Sequence, residues 1–179
     1  MTDHHIDDLI CIFNQCYLAT YNTELKKGED EPLYLPADGT RVHHELYFAR
    51  GFFASALHEC AHWLIAGEKR RLQVDFGYWY VPDGRSLQEQ ELFFKVEVKP
   101  QAMEWILSVA SGFRFQISSD NLNGLHSDTL KFKQAVYEQV GQYCKQGLSQ
   151  RAELLRSALS QFYHTPPLLK YEDFTLDSL

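Results

Sequence analysis

The segment 55–66 contains neither Gly nor Pro, carries Ala, Leu and Ile at helical spacing, and runs into Gly67, a natural helix terminator. Inside it lies His58-Glu59-Cys60-Ala61-His62, an H-E-x-x-H sequence. On a helix, side chains at i and i+4 leave the same face at a separation one metal ion can bridge. Glu59 falls about 100 degrees around the helix, where it can act as a base toward bound water or support the ligands without being one. The flanking Leu57 and Trp63-Leu64-Ile65 make the segment apolar, so two unrelated histidines here would each need a separate buried partner. Cys60 points to another face and is read as packing.

Two histidines are too few for a tight catalytic site, so a third ligand must come from elsewhere in the chain. Glu97 is the candidate, because its neighbours Phe93, Phe94, Val96, Val98 and Pro100 are largely apolar and a carboxylate there needs its charge compensated. The alternative is an exposed Glu97 paired with Lys99 or another surface charge. His43, His44, His126 and His164 stand in no spaced pattern with His58 and are left out of the ligand set.

At 179 residues the chain is long enough for one good core and short for two, so residues 1–179 are expected to form a single domain. Seventeen Lys and Arg against 24 Asp and Glu give a net charge of −7, which argues against direct nucleic-acid binding. Lys69-Arg70-Arg71 is the one basic run, either a solvated helix end or a local docking patch. Acidic residues in Met1 to Asp8 are unlike a secretory signal, and no apolar run approaches the ~20 residues that cross a bilayer, so a cytoplasmic protein without membrane contact is expected. Cys11, Cys16, Cys60 and Cys144 include no C-x-x-C pair and are expected to be reduced.

Ile6, Leu9, Ile10, Phe13 and Tyr17 predict an amphipathic helix ending before a polar loop from Asn22 to Glu31. Short strands are expected at Pro32–Pro36, Leu46–Ala49 and Val74–Val81. From Leu87 a helical pattern runs to Gly112 across Pro100, as one kinked helix or two abutting ones. Two more helices follow, around Phe132–Cys144 and Leu155–Phe162, the second capped by Ser149, with an extended tail from Thr165. The fold class is therefore α+β: mainly helical, with a small sheet. Asp75 with Tyr78 and Tyr80 could wall a substrate site for a lysine-like cation, or simply pack in a strand, since alternation sends Trp79 to the opposite face. Asp75-Phe76-Gly77 spells a kinase triplet without its companion motifs and is accidental.

Several separated blocks together resemble the elongation factor P hydroxylases. They are Asp30-Glu31-Pro32 through Leu35-Pro36-Ala37-Asp38, His58-Glu59 with His62-Trp63 and Ala66-Gly67, and Val74 to Tyr80 with Pro82-Asp83-Gly84-Arg85. Val96-Glu97-Val98-Lys99-Pro100-Gln101-Ala102 and Tyr163-His164-Thr165-Pro166 complete the set. The resemblance spans nearly the whole chain. It implies a two-histidine, one-carboxylate metal centre at His58, His62 and Glu97, and hydroxylation of a lysine that already carries a β-lysyl group, on the translation factor as partner. Iron(II) with O2 as co-substrate fits that activity, since such a ligand set leaves positions open for dioxygen. The local pattern is closer to zinc peptidases than to β-barrel oxygenases, so a zincin-like helix arrangement is expected and a 2-oxoglutarate site is not. The alternative is a small zinc metallopeptidase of gluzincin type, with Glu59 as its catalytic base. A purely structural metal in a binding module is disfavoured by Glu59 beside two ligands.

Overall fold

The computed structural model describes residues 3–77, 87–118 and 126–179. Helix α1 (Ile6–Tyr21) leads into strand β1 (Thr23–Lys27), followed by β2 (Leu33–Leu35), β3 (His44–Phe48) and helix α2 (Phe53–Ile65). Helices α3 (Leu87–Ser111), α4 (His126–Gln146) and α5 (Gln150–Tyr163) complete the main elements. This is the expected α+β arrangement, mainly helical with a three-stranded sheet. Among the described residues no helix is long and apolar enough to cross a membrane.

Helix α1 buries Leu9, Ile12, Phe13 and Tyr17, the three- and four-residue recurrence read from the sequence, and ends where Asn22 turns left-handed at φ 49°. The polar run after it is not all loop. Thr23 and Leu25 alternate inward from Glu24 and Lys26, and β1 pairs parallel with β3 in the register Thr23↔His44 to Lys27↔Phe48. A two-residue burial period between charged neighbours is a weak local signal, and the partner that stabilises it lies far along the chain. β2 pairs antiparallel on the other side of β3, giving the order β1-β3-β2.

The strand expected over Val74–Val81 is corrected. Val74–Gly77 is a tight turn in which Asp75 and Phe76 are left-handed at φ 48° and 57°, and residues 78–81 lie outside the described residues. A non-glycine residue in that region costs roughly 1–2 kcal/mol, and tertiary contacts offset it. Asp75 Oδ1 accepts a hydrogen bond from the Tyr34 backbone N–H at 2.8 Å, and the Phe76 ring stacks on Tyr34 at 4.3 Å.

Helix α3 runs unbroken through Pro100, although proline offers no N–H to the Val96 carbonyl one turn earlier. It ends at Gly112, φ 68°, where Phe113 N–H closes on the Ser108 carbonyl. The Ser149 hydroxyl accepts from Ala152 N–H and caps α5, as its position predicts. The tail is not simply extended: Tyr171–Asp173 and Leu176–Ser178 form short 3-10 turns, and between them Phe174 buries its ring edge-on against Trp105.

The core has two centres, and α3 contributes to both. Met103 and Leu107 join the aromatic mass of α1, α2 and α5, while Ala102, Trp105 and Ile106 pack with Phe132, Val136 and Val140 of α4. Helix α2 is buried nearly all round. Behind it, Trp63 is fully buried among Phe13, Tyr17 and Tyr21. The C-terminal carbonyls of α2 are closed by two guanidinium groups. Arg151 donates to the carbonyls of Trp63, Leu64 and Ala66 while lying 4.7 Å over the Trp63 ring, and Arg71 donates to Ala66 at 2.7 Å.

The basic run therefore divides: Arg70 donates to the Phe76 carbonyl and Arg71 to Ala66, while Lys69 is exposed. Replacing Arg71 by Ala should lower stability by about 1.5–3 kcal/mol, the range for a hydrogen bond from a charged group, whereas Lys69→Ala should stay within about 0.5 kcal/mol. Chemical denaturation of the two variants checks this. A pH window follows from α5, where hydrogen bonds from the buried Arg156 hold the Glu153 carboxyl below the usual carboxylate range. Because the folded value is the lower one, the stabilisation is fully present above the unfolded pKa of about 4.3 and is lost as pH falls through the folded value. With Glu153 half-exposed, it amounts to under about 1 kcal/mol. Glu153→Gln should cost that much near neutrality and nothing at pH ~2, read from denaturation at both pH values.

Candidate metal centre

Helix geometry places His58 and His62 one turn apart, with ring centroids 4.7 Å and Nε2 atoms 3.1 Å from one another. Two ring nitrogens at that distance cannot both present lone pairs to each other, so a proton or a cation must lie between them. From the neighbouring α3, Glu97 brings Oε1 to 3.3 Å from His62 Nε2 and Oε2 to 3.6 Å from His58 Nε2. Its residue is 1% exposed.

These atoms all lie within 4.8 Å of one another, a group that could hold a metal ion. The separations themselves are informative. Ligands at about 2.0–2.2 Å from one ion stand roughly 3.0–3.6 Å from each other, the range of the 3.1, 3.3 and 3.6 Å separations here, the last two running to different oxygens of Glu97. Neutral imidazoles and an ionised carboxylate are also the donor set that Fe(II) and Zn(II) accept.

A second acidic residue of α3 completes the cluster. Glu104 Oε2 lies 2.8 Å from His58 Nδ1, on the far side of the ring from Glu97. Burial opposes a charge on His58, but the Glu104 hydrogen bond and the charges of Glu104, Glu97 and Glu59 outweigh it and push its pKa up to about 10. The field at this point favours a positive charge. Burial raises the Glu59 carboxyl, the two imidazoles counteract this, and Glu97 and Glu104 add to it. Glu59 makes no hydrogen bond or ion pair among the described residues. Cys60 is fully buried, and its thiol, raised well above the usual range by burial, is a neutral packing group. All four cysteines are free.

The structure thus brings together His58, His62 and Glu97, with Glu59 on the same helix. Asp75 is not part of this cluster: its carboxylate is engaged by Tyr34, while Tyr78 and Tyr80 lie outside the described residues. Glu104 is absent from the sequence reading, although a signal for it exists. Glu97, Gln101, Glu104, Ser108 and Ser111 recur at four- and three-residue steps and are all buried, a polar stripe along a helix judged by its apolar positions alone.

A mainly helical α+β fold with an H-E-x-x-H helix, whose histidines meet a buried carboxylate of the next helix, defines a candidate metalloenzyme. Residues 12–174 match the elongation factor P hydroxylase family. The chain is also 61% identical over 163 residues to a Haemophilus influenzae protein named elongation factor P lysine hydroxylase, covering 91% of this chain and 92% of that one. The chain belongs to the elongation factor P hydroxylase family.

Proposed function

We propose that this chain is an iron-dependent hydroxylase of the (β-lysyl)-lysine side chain of translation elongation factor P, working in the cytoplasm, with His58, His62 and Glu97 as metal ligands and residues 1–179 as one hydroxylase domain. The observation that carries the metal assignment is the approach of Glu97 to both Nε2 atoms, in a chain that belongs to the elongation factor P hydroxylases. When bound, a redox-active ion such as Fe(II) would relay electrons from a reductant to dioxygen, which oxygen insertion into an unactivated C–H bond needs and zinc cannot do.

The residues divide the remaining work. His58 and His62, fixed on a helix capped at its C-terminus, hold their nitrogens on one side of the site. Glu97 contributes negative charge from a second rigid element, so the ligand set depends on no loop. Glu59 has a carboxylate available to a substrate group or a water, and we read its role as support of the ligands. We read the two helices as zincin-like and assign no 2-oxoglutarate.

Single alanine substitutions at His58, His62 and Glu97 should each abolish or strongly reduce metal stoichiometry, measured by elemental analysis of purified protein. Loss at the histidines alone, with Glu97→Ala still loaded, would move the third ligand to another carboxylate. The reaction has its own test. Anaerobically prepared protein with iron(II) should add one oxygen atom to lysylated elongation factor P when air and a reductant are supplied, and zinc-loaded protein should not. Glu59→Gln should reduce this activity less than loss of His58 or His62. Peptide cleavage by the zinc form without an oxygen-dependent mass gain from the iron form would replace the hydroxylase by a metallopeptidase.

A further inference from the structure

We infer that Glu104 is a positioning residue for the metal centre: its carboxylate fixes the His58 ring and holds the ring proton on Nδ1, so that Nε2 is presented to the ion. This rests on the metal assignment made for His58, His62 and Glu97, and not on which ion binds or which reaction follows.

The two nitrogens of His58 face opposite neighbours. Nδ1 is 2.8 Å from Glu104 Oε2, while Nε2 is 3.1 Å from His62 Nε2 and 3.6 Å from Glu97 Oε2. An ionised carboxylate can only accept, so the hydrogen between Nδ1 and Oε2 belongs to the ring, and a neutral His58 then carries its lone pair on Nε2. Hydrogen bonding to a carboxylate also makes the imidazole a stronger donor. Glu104 is 7% exposed, which leaves little room for solvent to take over this role.

The placement is built into the helix. Glu104 follows Glu97 by seven residues, two turns along α3 on the same face. One helix therefore supplies both the carboxylate beside the Nε2 atoms and the carboxylate behind His58, and α3 grips that ring from two sides. The arrangement is asymmetric: among the described residues no hydrogen bond is made to the other ring nitrogen of His62, which is itself buried. His58, the more exposed of the two at 26% of its side chain against 8%, is the ring that needs a tether.

The test uses the full chain and zinc(II) alone, with affinity measured by competition against a chelating dye. Glu104→Gln keeps the volume and an acceptor oxygen but loses the charge, and Glu104→Leu removes both. Zinc affinity should fall by roughly tenfold in the first and toward a hundredfold in the second, with one ion still bound at saturation. In zinc-loaded wild-type protein the His58 Nδ1–H should give a strongly downfield ring-proton signal in 15N-edited NMR, shifted upfield by Glu104→Gln; a merely structural role would leave that signal in place. Should Glu104→Leu not fold, Glu104→Gln and Glu104→Asp carry the test, the aspartate recovering part of the affinity. Wild-type affinity in Glu104→Gln, or weakened affinity with the His58 signal unmoved, overturns the inference. A wild-type protein that takes up no zinc, or retains it after His58→Ala, defeats the metal assignment instead.

Discussion

A carboxylate buried in an apolar helical interior is the constraint from which the rest of this structure follows. Glu97 is 1% exposed, and taking such a group out of water costs several kcal/mol unless neighbours replace the solvent. Its neighbours are two imidazoles, with Glu104 behind one of them and Glu59 on the same helix. Counted formally, three carboxylates face two rings that are neutral when unprotonated. Among the described residues of this cluster negative charge outweighs positive, and the upward push on the His58 pKa expresses the same imbalance. A divalent cation held by the Nε2 atoms and Glu97 would offset it more fully than a shared proton, because it would bring two charges to a cluster that could hold a metal ion.

Such an arrangement works only if α2 and α3 are held in fixed relation, since a shift of about 1 Å separates ligands from a common ion. The fold supplies this from outside the site. Arg151, from α5, reaches three carbonyls at the end of α2, and Arg71 reaches one of them again. Burial presses the Arg151 guanidinium toward losing its charge, to a pKa of about 10, yet it stays protonated at neutral pH and lies over the faces of Trp63 and Tyr21. At the other end of the helix, Phe53 packs into an aromatic group with Phe113 and Tyr163, which ties the start of α2 to the ends of α3 and α5. Thr165 donates to the Ala110 carbonyl and binds the same two helix ends together.

What the sequence made legible is what local geometry decides. The i, i+4 histidine pair, the Gly67 stop, the Ser149 cap and the burial face of α1 all depend on residues within a turn or two of one another. Glu97 was legible for a different reason: its apolar neighbours made an isolated charge implausible there. Features set by distant partners were not legible. β1 depends on parallel pairing with residues 44–48, and the 74–77 turn depends on Tyr34, some forty positions earlier. The Glu104 contact lies between the two cases, since its seven-residue offset from Glu97 is local but acquires meaning only once α3 is known to lie beside His58.

Glu59 stands where either of the two reactions such a site can support would use a carboxylate. A hydrolase needs a carboxylate next to the open position, able to take a proton from water. Glu59 has no hydrogen-bond partner among the described residues, and burial raises its pKa, both of which suit that task. A hydroxylase acting on a cationic side chain has equal use for it, because the same carboxylate can attract an ammonium group or steady the ligands beside it. Its position is therefore compatible with either chemistry, and so are two histidines and a glutamate as ligands. The distinction passes to the ion, through its capacity to change oxidation state. Family membership weighs here in a way the ligand set cannot: it concerns residues 12–174, nearly the whole chain, and not the H-E-x-x-H helix alone.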